Sequence, residues 1–220
     1  RRVLESAATL RDHIQTSLAT AIPAGRGSIA VVNLIGCDAA RLAEMASAAE
    51  AGMTLVAYAA DGERGSRILG PLRCFTAPPT APEITTAIEG KLGNRRTITL
   101  SEDIDAFMVA KTALTKAGHS VSMACDEKQA LDLLSILRPD TVLVDVRGAG
   151  MPAVEFLNAL GPESGRILTL LVHGDPTGST LGGLAERMLR PNALDVTELV
   201  KVCRNALPDA KRPGAAPAKR

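Results

Sequence analysis

The sequence predicts an α/β protein built on doubly wound parallel sheets, and three observations carry that prediction. From residue 97 onward, short apolar runs alternate with amphipathic segments, the pattern of strands joined by crossover helices. The run Thr141-Val-Leu-Val-Asp145 is apolar almost throughout, as a strand covered on both faces must be. The chain before residue 96 repeats the same grammar at lower strength, which is the mark of an internal duplication.

In the second half, Thr97–Leu100 reads as a first strand. Residues 103–117 read as a helix with Ile104, Phe107, Met108, Ala110 and Leu114 at helical spacing, closed by Gly118. A strand over His119–Ala124 and a helix carrying Ala130, Leu131, Leu134 and Leu137 follow, and Pro139 stops that helix. Beyond the central strand at 141–145 come a helix near 152–160, a strand at Ile167–Val172 and a short helix within 176–186. A strand at Met188–Arg190 and a helix from 195 to 207 complete the half. The last helix places Val196, Leu199, Val200, Cys203 and Leu207 on one stripe, and Asp195 is its natural cap.

In the first half, Ser28-Ile-Ala-Val-Val-Asn33 aligns with Thr141–Asp145, and Thr54-Leu-Val with Thr169-Leu-Leu. Phe75-Thr-Ala-Pro78 aligns with Met188-Leu-Arg-Pro191. The offset is 112 residues from Asn33 to Asp145 and 115 from Thr54 to Thr169, so the two halves read as copies of one fold. The expected organisation is a first domain over 1–93, a second over 94–208, with Gly93-Asn-Arg-Arg96 as linker, and a disordered Pro/Ala/Lys tail over 209–220. Only Arg2–Leu4 and about Ala7–Thr20 precede Ser28 as a strand and a helix, so the first copy lacks its opening strand and helix. Opening on Arg1, the chain reads as a fragment of a longer protein.

Composition excludes several functions. A net charge of +1, with Tyr58 as the only Tyr and no Trp, leaves neither a basic footprint nor a stacking platform for nucleic acid. No run approaches the roughly 20 apolar residues of a membrane span. Cys37, Cys74, Cys125 and Cys203 are scattered without a CxxC pair, and His13, His119 and His173 lie far apart. Buried free thiols of a reducing cytoplasm are expected, not a zinc site. Glycine-rich nucleotide fingerprints and nucleophile elbows are missing.

The order of these elements, the acids Glu102 and Asp103 after the first strand of the second half, Asp145 at the end of the third, and Arg190-Pro191 after the fifth together resemble the response-regulator receiver family. The resemblance implies two flavodoxin-like (CheY-like) domains, as in the tandem receivers of hybrid histidine kinases, with the site at the carboxyl edge of the sheet. It puts Ser101 and Glu102 in the two acidic positions, with Asp103 next to them as a substitute, and Asp145 in the phosphoacceptor position. Arg190 stands in the lysine position, Leu171 in that of a switching hydroxyl and Arg187 in that of a switching aromatic. Gly148-Ala-Gly150-Met151 resembles the usual turn after the acceptor, and Val172-His173-Gly174-Asp175 the loop after the fourth strand.

By this resemblance Glu102, Asp103, Asp145 and the backbone carbonyl of Arg147 would supply oxygen ligands to Mg²⁺, and Arg190 would pair with the phosphoryl group. The plainer alternatives stay open: Asp145 as a loop-capping acid, Glu102 as a solvated acid at a helix start, Arg190 as a surface residue. Asn33 and Ala77 occupy the acceptor and lysine positions of the first copy, which makes it a pseudo-receiver. Its roles are scaffold or dimer contact or, with Arg67, Arg73 and Tyr58, cyclic di-GMP binding. The implied partners are a histidine kinase or a histidine phosphotransfer protein, a second copy, or a kinase domain of the same chain, in the cytoplasm, with no nucleic acid and no membrane. A non-catalytic interaction protein is the second expectation.

Overall fold

A computed structural model describes residues 29–35, 44, 54–75, 77–88, 95–147, 153–160, 166–172, 174 and 179–206. The strand and helix expected before Ser28, the 93/94 domain boundary, the turn at Gly148–Met151, His173 and the 209–220 tail lie outside these residues. The protein is α/β: one seven-stranded, mostly parallel sheet flanked by helices on both faces.

The strands are β1 (Ile29–Asn33), β2 (Thr54–Asp61), β3 (Gly65–Phe75), β4 (Arg96–Leu100), β5 (Ser120–Ala124), β6 (Thr141–Asp145) and β7 (Leu168–Val172). The helices are α1 (Ala81–Ile88), α2 (Ile104–Lys116), α3 (Glu127–Ile136), α4 (Val154–Ala159), α5 (Ser179–Met188) and α6 (Val196–Ala206). The sheet runs β1-β2-β3-β7-β6-β4-β5. Its β5-β4-β6-β7 portion is parallel throughout and has the 2-1-3-4 strand order of a flavodoxin-like sheet.

Local chemistry sets the element ends. Gly118, at φ 85, closes α2 in the left-handed conformation that glycine adopts freely. Asp126 caps α3 by accepting from Gln129 N at 2.8 Å, and Asp195 caps α6 by accepting from Glu198 N at 3.0 Å. Thr80 and Glu83 form a side-chain bond of 2.7 Å at the start of α1. On α2 the expected stripe divides: Phe107, Ala110 and Leu114 are buried, whereas Ile104 and Met108 face solvent.

Alternation along each strand sorts the core into two faces. On one, Phe156, Leu184, Val142, Val144 and Leu171 pack together beneath α3, α4 and α5. On the other, Ile84, Leu114, Leu143 and Leu170 pack under α1 and α2, and Val56, Leu199, Val202 and Cys203 under α6.

The structure departs from the expected strand list at the fifth position. Met188 ends α5, and Arg190 makes only an isolated antiparallel bridge to Ser66. The place beside β7 is taken by β3, whose Leu72–Phe75 pairs in parallel with Thr169–Val172. β3 also forms an antiparallel hairpin with β2, because Asp61 Oδ1 accepts from Glu63 N at 2.9 Å and Arg64 N at 3.2 Å and turns the chain at once. Helix α1 then packs against α2, while α6 packs on β1, β2 and β3. Each half therefore contributes its last segment to the other.

Candidate functional site

Asp145 ends β6 at the carboxyl edge of the sheet, with its side chain 12% exposed. Its ladder partner on β7 is Val172, which in turn pairs with Phe75 at the end of β3. Leaving β4, the chain passes through buried Ser101, whose Oγ donates to Asp145 Oδ2 at 3.0 Å and accepts from Asp103 N at 3.0 Å.

Arg147, two residues beyond Asp145, folds back onto it. Its backbone N donates to Asp145 Oδ1 at 3.0 Å, its Nε to the same oxygen at 2.9 Å, and its Nη2 to Oδ2 at 2.6 Å. Nη2 also reaches Asp103 Oδ2 at 3.2 Å. This is a fork-on-carboxylate pair, the stronger class of hydrogen bond. The bond to Asp145 foremost, with its charge and that of Asp103, holds the Arg147 guanidinium above the ordinary arginine range against the cost of burial. A small, largely apolar cavity beside the pair is lined by Pro78, Pro79, Phe107, Leu143 and Val172, with Ser101 and Asp145 at its polar side.

The other expected site residues are distributed differently. Glu102 is exposed and makes no bond to Asp145. Arg190 bridges Ser66 at the opposite end of β3 from Phe75. Nine residues of strand, about 30 Å at ~3.3 Å per residue, separate Ser66 from the level of Asp145. The sheet position that Arg190 was expected to hold is occupied by the chain leaving β3 through Ala77 and Pro78, neither of which carries charge. Leu171 is fully buried on the α4–α5 face; the β7 residue beside Asp145 is Val172, which likewise has no hydroxyl. Arg187 lies on α5, exposed, and not on a strand.

In the first half, Asn33 is held by β2. Its Nδ2 donates to Ala60 O at 3.0 Å, and its Oδ1 accepts from Ala60 N at 3.0 Å and from Ile35 N at 3.2 Å. Tyr58 faces α6. Arg67 pairs across from Ala59 and so points to the other face, where its Nη2 donates to Asn158 O at 2.8 Å. Arg73 is buried in β3. The three residues expected to bind cyclic di-GMP thus do not converge on one surface.

A divalent cation does not fit the carboxylates as they stand. Among the described residues, no group of three or more His, Cys, Asp or Glu is disposed to hold a metal ion, and the guanidinium of Arg147 already bridges Asp145 and Asp103. The side chain of Arg147 was missed by sequence reasoning, which considered only its carbonyl; a basic residue two places after a strand-end acid was the available signal.

Among the described residues, no helix is long and apolar enough to cross a membrane. Compared with known proteins, the chain matches no family model, no curated protein and no solved structure. The fold and the carboxyl-edge acid therefore define its class by themselves: an α/β protein with a mostly parallel sheet and a strand-end carboxylate at the usual ligand edge.

Proposed function

We propose that the chain is a receiver-like protein-interaction module of a phosphorelay signalling protein, in which Asp145 serves as a structural acid and accepts no phosphoryl group. The reading takes residues 29–206 as two flavodoxin-like copies that have exchanged their last segments. One observation carries it: the strand end level with Asp145 is β3, and Ala77 and Pro78, which follow it where Arg190 and Pro191 were expected, carry no charge to receive a phosphoryl group. Phosphoryl transfer relies on positioned positive charge, and the expected donor, Arg190, bridges Ser66 at the other end of β3. The absence of a hydroxyl on Val172 and the amide at Asn33 agree with a module that signals by contact. A histidine kinase or histidine phosphotransfer protein, in the cytoplasm, is then a binding partner and not a phosphoryl donor.

The test is incubation of the full chain with acetyl phosphate and Mg²⁺, read by intact mass. No phosphoryl adduct is expected. An adduct on the wild type that Asp145→Ala abolishes would return Asp145 to the acceptor role. One observation favours that second reading: the Asp145 side chain keeps some exposure beside a cavity at the sheet edge.

A further inference from the structure

The disagreement between the acids at the sheet edge and any bound cation has a specific source. A carboxylate offers about four lone-pair directions. All are used at Asp145: Oδ1 accepts from Arg147 N and Nε, and Oδ2 accepts from Ser101 Oγ and Arg147 Nη2. A hard cation would need at least one of those directions on each carboxylate it bound. The same guanidinium nitrogen that contacts Oδ2 also contacts Asp103, so one fixed positive charge serves both acids.

The surroundings leave room for this arrangement. Gly174, at φ +69, faces the Arg147 stem, and a Cβ there would stand 2.7 Å from Arg147 Cγ and 2.9 Å from its Cδ. A side chain at 174 would push the arginine off the carboxylate, so the absence of a Cβ and the bidentate pair belong together. Arginine is always charged, and it is tethered to the acid it neutralises, so dilution does not remove it as it removes a free ion.

We infer that Arg147 is a resident counter-ion: its guanidinium takes the place that a divalent cation would occupy between Asp103 and Asp145, and keeps the pair closed to metal. This deepens the interaction-module reading and rests on it, because a site neutralised from within holds one state without added ions. Its consequence is directional. Removing the guanidinium uncovers two carboxylates that then bind a cation, whereas adding a cation to the wild type changes nothing.

The experiment is Mn²⁺ titration of the full chain, followed by the electron paramagnetic resonance of free Mn²⁺. Wild type is expected to show no saturable binding. Arg147→Met is expected to bind at least about tenfold more tightly, since an opposite charge at this range alters a carboxylate's affinity for a cation such as the proton by about that factor or more. Asp145→Asn on the Arg147→Met background is expected to remove the gain. Equal binding by wild type and Arg147→Met, or no gain in Arg147→Met, overturns the inference. A measurement on the wild type alone keeps it testable if the variant fails to fold: the Arg147 Nε–H resonance is expected to hold its position as millimolar Mg²⁺ is added, and its displacement overturns the proposal. Acetyl-phosphate labelling reports separately, because a wild type that binds no Mn²⁺ yet is labelled at Asp145 sinks the interaction-module reading and leaves the counter-ion standing.

Discussion

Ile84→Ala tests the exchange of segments between the two halves. Ile84 lies on α1, in the first half of the chain, and is fully buried. Its cluster is drawn from both halves, with Ala110, Ala113 and Leu114 of α2, Leu143 of β6 and Leu168 and Leu170 of β7 supplied by the second. Truncating a fully buried isoleucine to alanine costs about 2–5 kcal/mol, from lost transfer energy and the cavity left behind. Alanine's better helix propensity returns at most about 0.7 kcal/mol. A net loss of roughly 1.3–4.3 kcal/mol is a large share of a typical stability of about 5–15 kcal/mol. Urea unfolding followed by far-UV circular dichroism should show a lower midpoint in a single transition. Native-state hydrogen exchange should show lost protection in β6 and β7 as well as in β3. A loss below about 1 kcal/mol, or faster exchange confined to residues 54–88 with β6 and β7 unchanged, would refute the shared core.

Three further outcomes are expected. His119 is buried, its Nδ1 lies 2.9 Å from Thr97 Oγ1, and burial holds its imidazole below the ordinary value despite the nearby Asp140; the unfolded chain then binds the proton more readily, so the stabilisation is complete above about pH 6.5 and is lost as pH falls from there through the folded value. The urea midpoint of the wild type should drop across that window, and that of His119→Gln should drop less; equal slopes would disprove the assignment. Gly65→Ala should destabilise by roughly 1–3 kcal/mol or more, because Gly65 has φ 114 and a Cβ there would overlap the Arg190 carbonyl oxygen, whereas Gly62→Ala, with open space around it, should leave the melting temperature nearly unchanged. Burial pushes the Cys74 thiol up to about 12 and that of Cys203 to about 11, while Cys125 is exposed; peptide mapping after Ellman's reagent should find Cys125 modified in the native protein and the other two only after unfolding.

Much of the secondary structure was legible in the sequence, because periodicity reports directly which face of an element is covered. The apolar run Thr141–Asp145 became the interior strand β6, although the centre of the seven-stranded sheet is β7 and not β6; Leu199, Val200 and Cys203 became the buried side of α6, and Gly118 and Asp195 ended and began helices where their chemistry required. Of the site, the family resemblance put Asp145, Ser101, Glu102 and Asp103 at the sheet edge; Asp145, Ser101 and Asp103 meet there, while Glu102 stays exposed and outside the cluster. Ile104 and Met108 show the limit of the same reasoning, since they share the helical spacing of Phe107 and Leu114 and yet face solvent.

What only the tertiary structure decided is who neighbours whom. Residues 65–75, with Gly65, Gly70 and Pro71, lack the composition of a strand, and nothing local points to pairing with β7 as well as β2, because ladder partners more than ninety residues apart leave no periodic trace. That one choice placed Pro78 and Pro79 beside the Asp145 cavity and left Arg190 at the far end of β3. The reach of Arg147 was hidden for a related reason: the backbone turn after β6 brings a side chain from position i+2 onto its own strand-end acid, a contact that face periodicity does not encode. The sequence by itself determined the acid, its strand and its edge; the three-dimensional arrangement determined that the acid is met by an arginine.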